Sequence, residues 1–189
     1  MDTLTHSMIG AVAARTGMKN RVDKSCLIVA AVAAAFPDFD YLLFWVNPYK
    51  FITVWHLGIT HSVLVLPIWA GLISAVSYKV MRGRQSFKVL FGFSSLGLLT
   101  HLAADMITLY GIQLFSPISS RRFALSITFD MDPWIGLMAS LSLIFGYFKR
   151  SISVIGLFLI ALYLLILSYF QYSATEAVET RLNQSGISG

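Results

Sequence analysis

Long apolar stretches separated by short polar ones run the length of the chain, and the few polar positions inside the apolar stretches carry most of the information. Ser151 to Tyr172 is an unbroken run of Ile, Leu, Val, Phe and Tyr with no charge. It predicts a membrane-spanning helix, since roughly 20 apolar residues cross a hydrocarbon core of about 30 Å. His61 to Val80 and Phe87 to Tyr110 are nearly as apolar, the second with His101 and Asp105 inside it. Pro133 to Phe148 is shorter and spans if its flanks snorkel to the interface. Ser25 to Val46 is interrupted by Phe36-Pro37-Asp38-Phe39-Asp40. That break predicts a helix ending near Phe36, then an extended turn with Asp38 and Asp40 on one side. Leu4 to Thr16 is rich in small residues and too short to cross alone, so a re-entrant or interfacial helix packed against the others is expected.

Composition agrees with this pattern. Hydrophobic residues make up 57% and charged residues 12% of the 189, with a mean hydropathy of +0.73, far outside the range of water-soluble globular chains. The expected fold is an all-α polytopic transmembrane bundle with about four to five membrane-embedded segments plus the short N-terminal helix. Without repeats or polar linkers, residues 1–189 read as a single domain. Its parts are a motif-bearing region over 1–135, C-terminal transmembrane helices over 136–172 and a polar tail over 173–189. Lys19 to Ala35 also has the grammar of a secretory leader. The single Cys26 excludes an intrachain disulfide framework.

Charge adds orientation. Arg15, Lys19, Arg21 and Lys24 precede the second segment, Lys79, Arg82, Arg84 and Lys88 lie between the third and fourth, and Lys149 and Arg150 separate the last two. These loops alternate so as to share one face, which the positive-inside rule makes cytoplasmic. The expected location is a bacterial inner membrane, crossed several times. The opposite face holds residues 37–60, 111–132 and the tail, with Arg121 and Arg122 as exceptions to the rule. The net charge of +5 is then a topology signal, and nothing in the chain calls for nucleic acid. Membrane lipids are the expected surroundings, and oligomeric state is left open.

Candidate chemistry lies in the ionisable residues at membrane depth, where each costs at least about 2.5 kcal/mol and rarely persists without a partner or task. His6, Asp38, Asp40, His56, His61, His101 and Asp105 form that set, which includes every histidine of the chain. His101 and Asp105, four apart, share a helix face. At about 1.5 Å per helical residue, Asp38 stands roughly 21 Å above Lys24, His101 roughly 20 Å above Lys88 and His61 roughly 27 Å above Lys79. The groups therefore converge near the outer third of the membrane. Imidazole and carboxylate donors in mixture suit Zn above all, or Mn or Fe, as one or two ions.

The same residues resemble a known family. Asp2-Thr3-Leu4-Thr5-His6, Pro37-Asp38-Phe39-Asp40, His56-Leu57-Gly58-Ile59-Thr60-His61-Ser62 and His101-Leu102-Ala103-Ala104-Asp105, with Gly111 and Pro117 following, look like the YdjM-type bacterial inner-membrane proteins described as metal-dependent hydrolases. The likeness covers about residues 1–135. That family usually has a basic residue after the first histidine of its His-x-Gly-x-Thr-His motif, and Leu57 departs from it. The ligand order is also similar to that of zinc-dependent phospholipase C and P1 nuclease. That likeness implies His6, Asp38 or Asp40, His61, His101 and Asp105 as ligands, with Asp105 bridging. Those enzymes use an N-terminal Trp and further downstream ligands, whereas here Met1 comes first and no histidine follows His101. A full three-zinc centre is therefore not expected.

The resulting expectation is a membrane-bound metal-dependent hydrolase acting on a phosphoester of a lipid or lipid-linked substrate. Its water would be activated by the metal. Asp40 is the expected proton acceptor, and Arg121 and Arg122 are the expected headgroup clamp. Asp132 before Pro133 reads as a helix cap, while Asp130 stays open as a further ligand. Two other classes fit the same residues: a metal or proton transporter, and a non-catalytic membrane protein with a structural ion. The apolar helices below His101 and Asp38 favour a one-sided site over a transit path.

Overall fold

The computed structural model describes residues 1–17 and 24–185. Lys19 and Arg21, used above for orientation, lie outside the described residues, as does the tail's last part, 186–189. The order is α1 (Thr3–Gly17), α2 (Ser25–Ala35), a 3-10 helix (Phe36–Trp45), α3 (Pro48–Lys50), a π-helical turn (Phe51–Trp55), a 3-10 turn (Ile59–His61), α4 (Leu66–Val80), α5 (Phe87–Met106), α6 (Pro133–Phe148) and α7 (Arg150–Gln184). Isolated bridges join Thr108 to Thr128 and Ile112 to Phe123, and no strand forms among the described residues. The all-helical expectation holds.

Among the described residues, three stretches are long and apolar enough to cross a bilayer: Ser25–Trp45, Phe87–Met106 and Arg150–Gln184. A fourth is the pair Pro48–His61 and Leu66–Val80, bent by 71°, and Pro133–Phe148 is a shorter apolar helix. Their outward faces are apolar too: Ile28, Val32, Leu72, Val76, Leu99, Phe145, Ile155, Phe158 and Leu165 are all exposed. In water such a surface would drive aggregation, and in lipid it is the contact face.

The bundle is built around α2. Its Ala30, Ala33 and Ala34 have no exposed surface, and small side chains let two helices approach its backbone. A Cβ on Gly10 of α1 would lie 2.5 Å from Ala34 Cβ, and one on Gly97 of α5 would lie 2.9 Å from Ala33 Cβ. The Ser25–Ala35 part of the leader-like stretch is thus the centre of the core. α1 also packs against α6 and α7 and buries Thr5, His6 and residues 10–14. It is packed against the other helices, as expected.

Several expected boundaries move. The chain does not turn extended at Pro37 but tightens into the 3-10 helix Phe36–Trp45. Pro37 sits in its first turn, where its missing N–H costs nothing, and Asp38 and Asp40 are both buried. α4 begins at Leu66 rather than His61, because Ser62 is held in an extended conformation by its Oγ bond to the Ser116 carbonyl, 2.5 Å. α5 stops at Met106. α7 runs on through the expected polar tail to Gln184, 35 residues in all, or about 52 Å of helix.

Asp132 caps α6 as the sequence predicts, accepting from Trp134 N and Ile135 N at 2.9 and 3.2 Å. Its other oxygen accepts from Thr128 Oγ1 and Tyr163 Oη at 2.9 and 3.0 Å, tying the 107–132 loop to α6 and α7. Asp132→Ala removes a cap normally worth about 0.5–2 kcal/mol and both hydroxyl bonds. A fall in unfolding temperature in detergent is expected, larger than that caused by Tyr163→Phe, which removes one of the bonds.

Candidate metal centre

The donor cluster forms where the N-terminal turns of α1, the 3-10 helix after α2, the turn before α4 and the last turns of α5 meet. α1 supplies His6, the 3-10 helix Asp38, the short 3-10 turn His61, and α5 both His101 and Asp105. All are buried, and His61 and His101 have no exposed surface. Asp105 is the hub. Its Oδ1 lies 3.0 Å from His6 Nε2 and 2.7 Å from the Met1 nitrogen. Its Oδ2 lies 3.0 Å from His101 Nε2 and 3.3 Å from His61 Nε2. Asp38 Oδ1 faces the same space, 3.8 Å from His101 Nε2 and 4.0 Å from His61 Nε2.

Proton positions follow from the partners on the outer side of each ring. His101 Nδ1 is 2.6 Å from the Ala34 carbonyl, which can only accept, so the proton sits on Nδ1 and Nε2 presents a bare lone pair. That lone pair faces the Asp105 carboxylate, acceptor against acceptor. The same logic reaches His61 through Thr60. The Thr60 hydroxyl donates to Asp40 Oδ2 at 3.4 Å, leaving its oxygen to accept from His61 Nδ1 at 2.9 Å. His61 Nε2 is then also a bare lone pair aimed inward. His6 Nε2, His61 Nε2, His101 Nε2, Asp105 Oδ2 and Asp38 Oδ2 are all buried without a hydrogen-bond partner. Unpaired buried acceptors on this scale are costly, and a cation between them removes the cost. His6 and His101 stack there with ring centroids 3.8 Å apart.

Two overlapping donor triads result, His6 with Asp38 and His101, and His61 with His101 and Asp105, each with atoms within 4.8 Å of one another. These buried groups are able to hold a metal ion.

The remaining expected site residues fall outside both triads. Asp40 is 3% exposed and lies on the Nδ1 side of His61, 3.8 Å away. It accepts from the Leu57 N–H at 3.2 Å, where Leu57 is held at φ 59°, a left-handed conformation costing a non-glycine residue about 1–3 kcal/mol. Asp40 therefore supports the His61 turn from behind. His56 touches Asp40 through Nδ1 at 3.3 Å. Thr60→Val is expected to weaken metal binding about 10- to 100-fold, the range for groups that orient a ligand, while Thr60→Ser retains it. Competition with a chromogenic chelator measures both.

A cavity of about 620 Å³ opens onto the cluster, lined in part by Asp38, Asp105, Tyr41, Ile52, Arg122 and Asp130. Arg122 donates from Nη1 to the Gly111 carbonyl and from Nη2 to the His56 carbonyl, at 3.3 and 3.1 Å. It forms no ion pair among the described residues. Arg121 instead lies over the Phe123 ring, 5.5 Å from its centroid, and does not line the cavity. The position of Arg122 was not legible from sequence, since the loop that carries it is fixed by the Ile112–Phe123 bridge and by Leu125 N and Ile127 N donating to the end of α5.

Fold and cluster together define a membrane-embedded helical protein with a buried, potentially metal-binding His/Asp centre. The chain belongs to the YdjM inner membrane protein family, which matches residues 1–174. It is similar to the uncharacterized protein YfhP of Bacillus subtilis (strain 168), 25% identical over 177 residues, covering 90% of this chain and 53% of that protein. The chain thus spans about half the length of this curated relative. No solved structure matches it.

Proposed function

We propose that this protein is a membrane-bound metal-dependent hydrolase of phosphoesters carried on a lipid or lipid-linked substrate. The observation that supports it is the buried, inward-facing His101 Nε2, 3.0 Å from an Asp105 oxygen while its Nδ1 is engaged by the Ala34 carbonyl. His6, Asp38, His61, His101 and Asp105 are the proposed ligands. Asp105 spans them, Oδ1 toward His6 and Oδ2 toward His61 and His101, which suits one or two ions. Three imidazoles with two carboxylates fit Zn best, with Mn or Fe next. Bound there, the metal supplies hydroxide at neutral pH and polarises a phosphoryl oxygen.

The chain's own groups do the rest. Asp38 turns Oδ1 toward His61 and His101 as a ligand, which leaves Oδ2, buried without a partner on a residue that lines the cavity, to take the proton from the attacking water, the role expected from sequence for Asp40. Arg122 has N–H groups left after its two carbonyl bonds and binds the phosphate oxygens. The exposed Phe39, Leu42, Trp45 and Ile52, on the segments around the cavity, accept the substrate's apolar part. Arg15, Lys24, Lys79 and Lys88 stand at the helix ends remote from the cluster, so the positive-inside rule puts the cavity on the extracytoplasmic side.

Elemental analysis of detergent-purified protein, paired with phosphate release from a set of phospholipid and polyprenyl phosphoesters, tests the reading. Bound Zn, Mn or Fe with release that Asp38→Asn and Arg122→Gln each abolish is expected. Metal with no release from any ester would make the ion structural, and no metal at all would remove the basis of the proposal.

A further inference from the structure

At the end of the bundle remote from the cavity, cations from three parts of the chain meet at the junction of α6 and α7. Arg15, on the last turn of α1, donates from Nε to the Gly146 carbonyl at 3.0 Å. Arg150, at the start of α7, donates from Nε to the Thr16 carbonyl at 2.8 Å. Lys24 Nζ lies 3.9 Å from the centroid of the Tyr147 ring. The two arginines cross, Arg15 of α1 holding a carbonyl near the C-terminal end of α6 and Arg150 of α7 one near the C-terminal end of α1.

Among the described residues, every partner in this arrangement is neutral. Helix-end carbonyls and an aromatic face attract cations and fix their positions, but they do not neutralise them. Among the described residues, no ion pair involves Arg15, Lys24, Lys149 or Arg150. Both guanidinium groups are tied through Nε, and among the described residues their Nη N–H groups donate no further bond. Two orientated forks with adjacent ammonium groups match a phosphate's oxygens. Phe145, Tyr147, Phe148 and Ile155 beside them are exposed and apolar, so the anion that fits arrives with acyl chains attached.

We propose that the α1–α6–α7 junction is a binding site for the phosphate of an anionic membrane lipid, separate from the His/Asp centre. Basic pockets between membrane helices hold such headgroups by the same combination of charge and apolar flank. The site pins α1, and with it His6, against the α6–α7 hairpin.

The test is a lipid titration of the intact protein in neutral detergent, following unfolding temperature and lipid-bound species by native mass spectrometry. Phosphatidylglycerol is expected to bind and raise the unfolding temperature, while phosphatidylcholine and inorganic phosphate do neither. Arg15→Gln/Arg150→Gln should weaken phosphatidylglycerol binding about tenfold or more, and Arg84→Gln/Lys88→Gln, removing equal charge elsewhere, should leave it unchanged. Should the first pair not fold, Lys24→Gln/Lys149→Gln, which breaks no helix-end bond, should still lower the affinity. Equal response to phosphatidylcholine or to phosphate, or equal loss in the control pair, overturns the proposal. So does undiminished binding in both junction pairs.

Discussion

Asp105→Asn is expected to abolish metal binding and, with it, the stabilisation that added metal gives the wild type. The carboxylate contacts every proposed nitrogen ligand, with Oδ1 at 3.0 Å from His6 and Oδ2 at 3.0 and 3.3 Å from His101 and His61. Groups that only orient a ligand cost about 10- to 100-fold in affinity when removed, so loss of the hub should exceed 100-fold. Stability separates the metal role from a packing role. A ligand that binds only the folded state stabilises it by about 2.7 kcal/mol at 100 times its Kd, so added Zn should raise the unfolding temperature of the wild type and not of the variant. In the metal-free state the amide is nearly isosteric, but it leaves the buried Met1 ammonium, 2.7 Å from Oδ1, without its counter-charge, and breaking one half of a buried pair costs about 3–5 kcal/mol, so the zinc response and not the absolute unfolding temperature is the readout. An Asp105→Asn protein that binds and responds to Zn like the wild type would show the cluster to be an ordinary polar core.

The second large effect is expected from Gly97→Val. A Cβ at Gly97 would collide with the Ala30 carbonyl oxygen and sit 2.9 Å from Ala33 Cβ and 3.0 Å from Ala34 N. The obstacle is mostly backbone, which cannot rotate away, so α5 must move off α2. Overpacking typically costs about 1–3 kcal/mol and occasionally more, and the upper end is expected here. The shift also reaches the centre, because the Ala34 carbonyl fixes His101 Nδ1 at 2.6 Å. Both unfolding temperature and Zn affinity should therefore fall. Gly92, in the same helix, has nothing within 4 Å of its would-be Cβ, so Gly92→Ala should be tolerated or mildly stabilising through helix propensity. Equal effects at the two glycines would contradict the close α2–α5 contact.

Much of the architecture was legible because a bilayer imposes a simple code on sequence. Runs such as Ser151 to Tyr172 have few alternatives to a spanning helix, and Asp132-Pro133 is a cap by local chemistry alone. That ionisable groups at membrane depth must find partners was likewise readable, although Asp40 and His56, expected in the same set, stand outside both triads. His61 reaches the cluster even though Ser62 to Val65 is not helical, so a helical rise counted from Lys79 does not measure its distance from that residue.

Sequence by itself determined the apolar spans, the grouping of basic residues at helix ends and a pool of seven candidate donors, because these follow from composition, period and the cost of charge in lipid. Tertiary structure alone decided the roles within it. Asp38 and Asp40 are two residues apart, yet the 3-10 helix turns one toward the cavity and the other behind His61. Arg121 and Arg122 are adjacent, yet only Arg122 lines the cavity. Such choices depend on hydrogen bonds between segments far apart in the chain, Thr60 to Asp40, His101 to Ala34 and Arg122 to His56, and local sequence holds no record of which distant partner will be there.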